Sequence, residues 1–281
     1  MGQLGERLRT SAKRTSVVAV KGGRAITRTD HVAGEEPMEI RAGGPGQEPV
    51  QVAVTMRTPG NDFELAAGFL FTEGLIAPHD IVKVSYCDAL DITQDFNVVT
   101  VRLAKPFDSK WVNRNFYATS SCGICGKASL DQVALECPAI PAGPRLPPSV
   151  ITSLPHRLRD GQKTFSRTGG LHASGFFDAS GAPAGLREDV GRHNSLDKLI
   201  GKMLLAGEFD FRDRILMVSG RAGFEIVQKA AMAGVPVVCA VSAPSSLAVD
   251  AAEQLGITLV GFLRGDDFNI YAHSERIYLS A

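Results

Sequence analysis

The segment ILMVSGRAGFEIVQKAAMAGVPVVCAVSAPSSLAVDAAEQLGITLVGFL, residues 215–263, contains the alternation that decides the fold class. Three short apolar runs, expected as buried strands, alternate with two segments that favour helices. The runs are 215–218, 235–241 and 257–263, and the helical segments are 222–233 and 245–255. Buried strands that alternate with helices are typical of a largely parallel sheet covered on both faces. The segment therefore predicts an α/β fold.

The ends of these strands carry small and charged residues. Ser219-Gly220-Arg221 follows the first run, Ser242-Ala243-Pro244 the second and Arg264-Gly265-Asp266-Asp267 the third. Ligands bind at the carboxyl ends of strands in open α/β sheets, and arginine can hold phosphate through two hydrogen bonds. Arg221 and Arg264 are therefore candidates for an anion site. An ion pair of Arg264 with Asp266 or Asp267 is an equal alternative.

The sequence on either side of residues 215–263 predicts further strands and helices and the boundaries of the domains. Residues 171–177 and 184–190 flank a predicted turn and form a hairpin, and Asn194 is expected to cap the helix that follows. Upstream, the order strand, strand, helix, strand, strand predicts a small α+β domain, with a hairpin turn at Gly43-Gly44-Pro45-Gly46. The predicted divisions are a mobile polar tail (1–16), an N-terminal α+β domain (17–118), a Cys-x-x-Cys loop with a linker (119–148) and a C-terminal α/β domain (149–281).

The amino-acid composition indicates which kinds of binding partner and which cellular compartment suit this chain. The chain has 281 residues, 44% of them hydrophobic, and a formal net charge of zero, which favours neither nucleic acid nor an acidic membrane surface. No apolar run approaches the length of a membrane span, and no secretory signal is present at the first residues. Five cysteines are an odd and sparse set, which indicates a reducing cytoplasm rather than a disulfide scaffold.

The stretch Ser-Ser-Cys-Gly-Ile-Cys-Gly-Lys, residues 120–127, places two cysteines in a segment rich in small residues. Its thiols, Cys122 and Cys125, are able to share a metal, exchange a disulfide or carry a sulfur atom as a persulfide. A second ligand pair for zinc is absent from the sequence. A deaminase needs His-x-Glu, and the segment His172-Ala173-Ser174 lacks the glutamate. Zinc binding, dithiol oxidation and sulfur transfer remain open on spacing alone.

Five motifs occur in a fixed order and together resemble the FdhD family, the formate dehydrogenase accessory sulfurtransferases. They are Ser-Cys-Gly-Ile-Cys-Gly, Thr-Gly-Gly-x-His, Glu-Asp-Val-Gly-Arg-His-Asn, Val-Ser-Gly-Arg and Gly-Phe-x-Arg. The resemblance covers about residues 17–273 and rests on the joint order of the motifs. It implies that the C-terminal domain is a three-layer αβα domain that resembles the cytidine deaminase fold without its zinc site.

The resemblance also implies a reaction and its participants. Family members accept sulfur from a cysteine desulfurase and pass it to the molybdenum cofactor, Mo-bis(molybdopterin guanine dinucleotide), which is needed by formate dehydrogenase. It implies that Cys122 carries the persulfide, that Cys125 assists, and that Phe262-Leu263-Arg264-Gly265-Asp266-Asp267 binds the cofactor; Arg221 joins this site on chemical grounds. A homodimer, a pocket for a guanine nucleotide and no resident metal are implied as well. A chaperone that binds the cofactor without carrying sulfur, or a dithiol oxidoreductase, is the alternative.

Overall fold

The structure is a computed structural model that describes residues 10–86, 97–108, 137, 140 and 142–278. Cys122 and Cys125 lie outside these residues. The strands are β1 (Ala12–Lys21), β2 (Arg24–Ala33), β3 (Glu36–Gly43), β4 (Val50–Arg57), β5 (Ile81–Tyr86), β6 (Val98–Leu103), β7 (His172–Phe177), β8 (Pro183–Asp189), β9 (Ile215–Val218), β10 (Val237–Ala240), β11 (Thr258–Arg264) and β12 (Asp267–Ala272). The helices are α1 (Asp62–Thr72), α2 (Pro148–Gly161), α3 (Lys163–Thr168), α4 (Arg192–Leu205), α5 (Phe224–Met232) and α6 (Ser246–Leu255).

Six strands form the larger sheet, in the order β12-β11-β10-β9-β7-β8. The predicted α/β class is confirmed, but the expectation of a largely parallel sheet is wrong. Among the described strands of this sheet, only β9, β10 and β11 run parallel to one another, and the other three pairings are antiparallel. Two of these pairs, β7 with β8 and β11 with β12, are hairpins, and a strand that follows a tight turn must return antiparallel. The third pair, β7 with β9, is antiparallel because β9 runs in the same direction as β8 on the other side of β7.

Helices cover both faces of this sheet. Side chains of a buried strand alternate between faces, and the core divides accordingly. Leu216 and Val238 belong to the core that contains α4, α5 and α6, whereas Ile215 and Cys239 belong to the core that contains α2. The C-terminal half is therefore built as helix, sheet and helix layers. Its resemblance to the cytidine deaminase fold stays a prediction.

The N-terminal part contains a second sheet, in the order β4-β3-β6-β5. The predicted turn at 43–46 joins β3 to β4, and α1 packs against both this sheet and α4. One continuous hydrophobic core includes residues of both sheets. The strands β1 and β2 form a separate hairpin, so residues 12–16, which we assigned to the polar tail, are part of a strand. The division into two domains stays a prediction.

The start of α4 differs from the expected one. The helix begins at Arg192 after Gly191, so Asn194 is not its cap. Instead the amide of Asn194 donates to the carbonyl oxygen of Met56 at 2.8 Å and to Asp189 Oδ1 at 3.1 Å. The side chain therefore ties α4 to β4, a contact between distant segments that local sequence does not reveal. In the part of the chain that the structure describes, no helix is long and apolar enough to cross a membrane.

Candidate ligand site at the carboxyl edge of the larger sheet

Hydrogen bonds bring the predicted strand-end turns together in one row. Ser219 N donates to the carbonyl of Ala173 at 2.9 Å, and Ser219 Oγ accepts from Ala173 N at 2.9 Å. Ser245 N donates to the carbonyl of Ala222 at 3.1 Å, next to a bridge between Ala222 and Pro244. In the same row, Phe262 N donates to the carbonyl of Ser242 at 3.2 Å. The carboxyl ends of β9, β10 and β11 thus form one continuous edge.

The predicted cofactor-binding stretch turns the chain from β11 into β12. Gly265 has φ of 57°, and Arg264 lies opposite Asp267 in the strand register. Four of the side chains beside this turn are exposed, namely Phe262, Arg264, Asp266 and Asp267, whereas Leu263 is fully buried against the α2 side of the sheet. Any contact of Leu263 with a ligand would therefore use its backbone.

Both arginines of the predicted anion site are exposed. Arg221 lies in the turn before α5, and Arg264 lies at the end of β11. Among the described residues, neither guanidinium is within ion-pair distance of a carboxylate, including those of Asp266 and Asp267. The alternative explanation for Arg264, a salt bridge inside its own turn, is not observed. Both charges are free to meet an anion.

His172 begins β7 at the same edge. Its Nδ1 would lie 3.3 Å from a β-carbon at Gly220, so the glycine lets the turn after β9 approach the imidazole. Burial lowers the pKa of His172, and the nearby positive charge of Arg192 lowers it further. Both effects favour the neutral imidazole, although the carboxylate of Asp189 acts in the opposite direction. The sequence analysis considered His172 only for a deaminase motif, and the glycine after Ser219 was the signal that could have placed it here.

The deaminase position contains no acid. Ser174 is fully buried, and its hydroxyl shares a 2.8 Å hydrogen bond with the hydroxyl of Ser195. Ser195 in turn donates to the carbonyl of Arg192 at 2.8 Å. This hydroxyl chain joins β7 to α4 and has no group that could activate water as a carboxylate does. Among the described residues, no group of three or more His, Cys, Asp or Glu side chains is arranged to hold a metal.

The motif Glu-Asp-Val-Gly-Arg-His-Asn, residues 188–194, connects the end of β8 to the start of α4. Its acidic side chains bind to neighbouring segments of the fold. The Asp189 carboxylate accepts from the backbone of Thr58 at 3.1 Å and of Gly191 at 2.8 Å, and lies 2.6 Å from Lys198 Nζ. Glu188 accepts from the first amides of α3 at 2.9 and 2.7 Å. These contacts connect the turn after β4 with β8 and α4, so this segment ties the smaller sheet to the larger one.

His193 is a neutral imidazole in the same motif. Burial is the main cause that lowers its pKa to about 4, and the charges of Arg192 and Lys229 act in the same direction. Its Nε2 is 3.7 Å from Glu225 Oε2, and among the described residues this buried nitrogen has no hydrogen-bond partner. The imidazole is therefore poorly placed to become charged while the protein is folded.

The thiol inside β10 is chemically unreactive. Cys239 is fully buried, and burial raises the pKa of its thiol. Since the thiolate is the reactive form, Cys239 is not a candidate for sulfur chemistry. The roles predicted for Cys122 and Cys125 fall outside the described residues and stay predictions, as do those of the 262–267 stretch and Arg221.

The fold defines the class of protein: a mixed α/β protein in which the position of the deaminase glutamate is occupied by Ser174. A sequence profile of the FdhD/NarQ family matches residues 33–278, and the chain belongs to this family. Its relatives include a protein of Streptomyces avermitilis, 49% identical over 96% of each chain, and one of Sulfurisphaera tokodaii, 46% identical over 94% of this chain and 98% of the relative. Both are named sulfur carrier protein FdhD.

A solved structure has the same fold. The crystal structure of a putative formate dehydrogenase accessory protein from Desulfotalea psychrophila superposes with a TM-score of 0.74 and covers 95% of this chain and all of its own. The two sequences are 24% identical, so this likeness shows the fold alone. The family resemblance inferred from the five motifs is thus confirmed by the sequence comparisons.

Proposed function

We propose that this chain is a sulfurtransferase that receives a persulfide sulfur from a cysteine desulfurase and passes it to the molybdenum cofactor for formate dehydrogenase. The observation that carries the proposal is similarity over nearly the whole chain to relatives named sulfur carrier proteins. The Cys-Gly-Ile-Cys sequence supplies two thiols for the reaction, and the buried thiol of Cys239 does not compete with them. The reducing cytoplasm suits free thiols.

The sulfur atom moves by two thiol exchange steps. The Cys122 thiolate attacks the outer sulfur of the desulfurase persulfide, so the sulfur–sulfur bond there breaks and the desulfurase cysteine leaves as a thiolate. Cys122 then holds the persulfide. The Cys125 thiol attacks the inner sulfur, which forms a Cys122–Cys125 disulfide and releases the outer sulfur as hydrosulfide for the cofactor. A dithiol reductant must then supply two electrons to restore both thiols.

The cofactor is the sulfur acceptor and is expected at the carboxyl edge of the larger sheet. Its guanine dinucleotide arms carry phosphates, and Arg221 and Arg264 present free guanidinium groups there. The turns that contain Ser219, Ser242 and Gly265 bring backbone close to the same edge. We extend the proposal to a homodimer that binds a guanine nucleotide in the cofactor pocket.

Mass spectrometry of the intact protein tests the sulfur step. The chain is incubated with a cysteine desulfurase and cysteine, and the gain of one sulfur atom that a reductant removes is measured. Cys122→Ala should not gain this atom, and Cys239→Ala, a matched loss of a thiol, should gain it as wild type does. A Cys122→Ala protein that loads sulfur as well as wild type would refute the proposed role.

A second candidate is a chaperone that binds the cofactor without carrying sulfur, and the free arginines of the edge favour it. It predicts that Cys122→Ala still supports formate dehydrogenase activity in a strain that lacks the native gene, while Arg264→Ala does not. The sulfurtransferase predicts that both variants fail in this assay. Measuring enzyme activity in the complemented strains separates the two functions.

A further inference from the structure

The hairpin of β1 and β2 stands apart from both hydrophobic cores. Its ten residue pairs run from Ala12 opposite Ala33 to Lys21 opposite Arg24, and the two strands form a sheet of their own. Although α3 packs against the hairpin, no residue from 12 to 33 is buried. A β-carbon on either glycine of the Gly22-Gly23 turn would meet no described atom within 4 Å beyond its chain neighbours. The hairpin therefore projects into solvent, with strands about 33 Å long at the rise of a β-strand.

One face of this hairpin is uncharged. Directly paired residues share a face of the sheet, and so do residues two apart along a strand. The face that we call the uncharged face consists of six exposed residues: Ser16, Val18, Val20, Ala25, Thr27 and Thr29. Val18 and Val20 are 66% and 69% accessible. Because an isolated two-stranded hairpin is only marginally stable in water, covering this face with another sheet would stabilise it.

The hairpin is basic, whereas the segment that follows it is acidic. Residues 12–33 contain five lysines and arginines and one aspartate, a net charge of +4. Residues 34–108, which include the smaller sheet and α1, contain five basic and twelve acidic residues, a net charge of −7. Among the described residues, four basic side chains of the hairpin are not within ion-pair distance of a carboxylate: Lys13, Arg14, Lys21 and Arg24.

The smaller sheet has an exposed face as well. Met38, Ile40 and Ala53 belong to the core that contains α1, so the residues that alternate with them along β3 and β4 point away from this helix. The side that points away, which we call the outer face, exposes Pro37, Val54 and Met56. Val54 is 50% and Met56 49% accessible. Sheets that pack face to face cover side chains of this kind between them.

We propose that two copies of this chain exchange their hairpins, so that the uncharged face of each hairpin packs on the outer face of the smaller sheet in the other copy. This inference rests on the homodimer of the proposed function and names its contact surface. The exchange brings the unpaired basic side chains of one copy to the acidic segment of the other. Contact between the two hairpins alone is disfavoured, because it would bring two charges of +4 together. Nucleic acid is disfavoured because the adjoining segment with its charge of −7 would repel it.

Sedimentation equilibrium of the full chain measures the dissociation constant of the dimer. Replacing both Val18 and Val20 by glutamine should raise this constant at least about 100-fold, because the exchange buries these valines in both copies. Leu205→Gln is the matched control, since Leu205 is a 43% exposed apolar residue at the end of α4, and should leave the constant unchanged. Replacing Lys21 and Arg24 by glutamate, which keeps the valines, should also raise the constant, and the dimer of this variant should depend less on salt.

Cross-linking locates the contact without disturbing the charges. The photoreactive residue p-benzoylphenylalanine replaces Val20 in a mixture of chains with and without ¹⁵N label, and mass spectrometry identifies the cross-linked peptides. We expect peptides that combine both isotopes and join the hairpin to β3 or β4, because these strands carry the outer face. The same residue in place of Leu205 should give no cross-link between copies.

The outcomes separate this inference from the function on which it rests. If wild type dimerises and the valine variant dimerises within threefold of it, the exchange is wrong and the homodimer forms through another surface. Cross-links from position 20 that stay within one chain, or that reach another part of the second copy, would also overturn the exchange. If wild type remains a monomer, the homodimer and the exchange are both overturned, whereas sulfur loading at Cys122 is decided by its own experiment.

Discussion

Gly68 of α1 and Gly201 of α4 face each other where the two helices cross, and each lies against the main chain of the other helix. A β-carbon at Gly68 would lie 2.9 Å from the amide nitrogen of Gly201, and one at Gly201 would lie 2.8 Å from that of Gly68. Real side chains do not approach a backbone so closely. The contact therefore requires glycine on both helices and joins the core of the smaller sheet to that of the larger one.

Replacing one of these glycines should separate the helices. We expect Gly201→Ala to lower the free energy of unfolding by about 1–3 kcal/mol, because overpacking a close contact shifts the backbone. Gly223→Ala is the matched control: its added β-carbon would meet only a flexible carboxylate oxygen of Glu225, at 3.3 Å. Urea denaturation measures both variants. Equal stabilities would show that the helix crossing adapts to a methyl group.

This crossing was not predictable from the sequence, although the elements that form it were. The apolar spacing after Asp62 and after Arg192 predicts both helices, because periodicity reports which face of an element is buried. It does not report which other element covers that face. The same limit explains why local sequence predicts a cap at Asn194, whereas the side chain bonds to Asp189 and to Met56, which is 138 residues away in the chain.

The candidate site was predictable in part. Arg221 and Arg264 follow apolar runs, and strand ends are where α/β sheets place ligands, so the edge was expected. The lowered pKa of His172 depends on burial and on Arg192, which only the folded chain brings near. The left-handed backbone of Phe262 depends on the enclosure of Gly261 by Pro244 and Tyr271, and no local sequence pattern encodes it.

Lys229 holds a buried cluster of charges between α1, α4 and α5. Its Nζ lies 2.6 Å from Glu73 and 3.0 Å from Asp197, and it donates to Thr72 Oγ1 at 2.9 Å. Burial opposes the charged ammonium, but the two carboxylates outweigh this effect and raise the pKa of Lys229. Lys229→Met should lower the free energy of unfolding by about 3–5 kcal/mol, because it leaves a buried carboxylate without its partner.

A double-mutant cycle checks this expectation. Adding Asp197→Asn to Lys229→Met removes the unpaired charge and should restore part of the lost stability, measured by urea denaturation. Lys105→Met is the control, since its pair with Asp80 has a lysine side chain that is 68% exposed, and should cost about 0–1 kcal/mol. If the double variant is no more stable than Lys229→Met, the cluster acts through packing and not through charge.

His193 should make the protein less stable in mild acid. Its pKa is lowered to about 4 in the folded state, mainly by burial, whereas an unfolded histidine titrates near about 6.5. As the pH falls between these two values, the unfolded chain binds a proton that the folded chain does not, so stability is lost with decreasing pH. The groups that face the imidazole are Arg192, Lys229, Glu225 and Glu73.

Thermal unfolding between pH 7 and pH 5 measures this effect. His193→Gln cannot take up the proton, so wild type should lose about 1 kcal/mol more stability than the variant over this interval, after allowance for an imidazole that is 31% exposed. The carboxylates of the cluster are common to both proteins and cancel in the comparison. Parallel curves for the two proteins would show that the imidazole takes up its proton equally in both states.

Arg264 should contribute to ligand binding through its charge. We expect Arg264→Met to weaken binding of GDP and of pyrophosphate by about tenfold or more, because a hydrogen bond between charged groups contributes roughly 1.5–3 kcal/mol. Arg264→Lys should restore only part of the loss, since lysine cannot offer the planar pair of donors.

Arg145→Met, which removes an exposed guanidinium stacked 4.8 Å from the ring centre of Tyr278, is the control and should bind both ligands as wild type does. Calorimetry at two salt concentrations decides the cause, because losing a phosphate contact must also reduce the salt dependence of binding. Unchanged salt dependence in Arg264→Met would place the phosphates elsewhere on this edge.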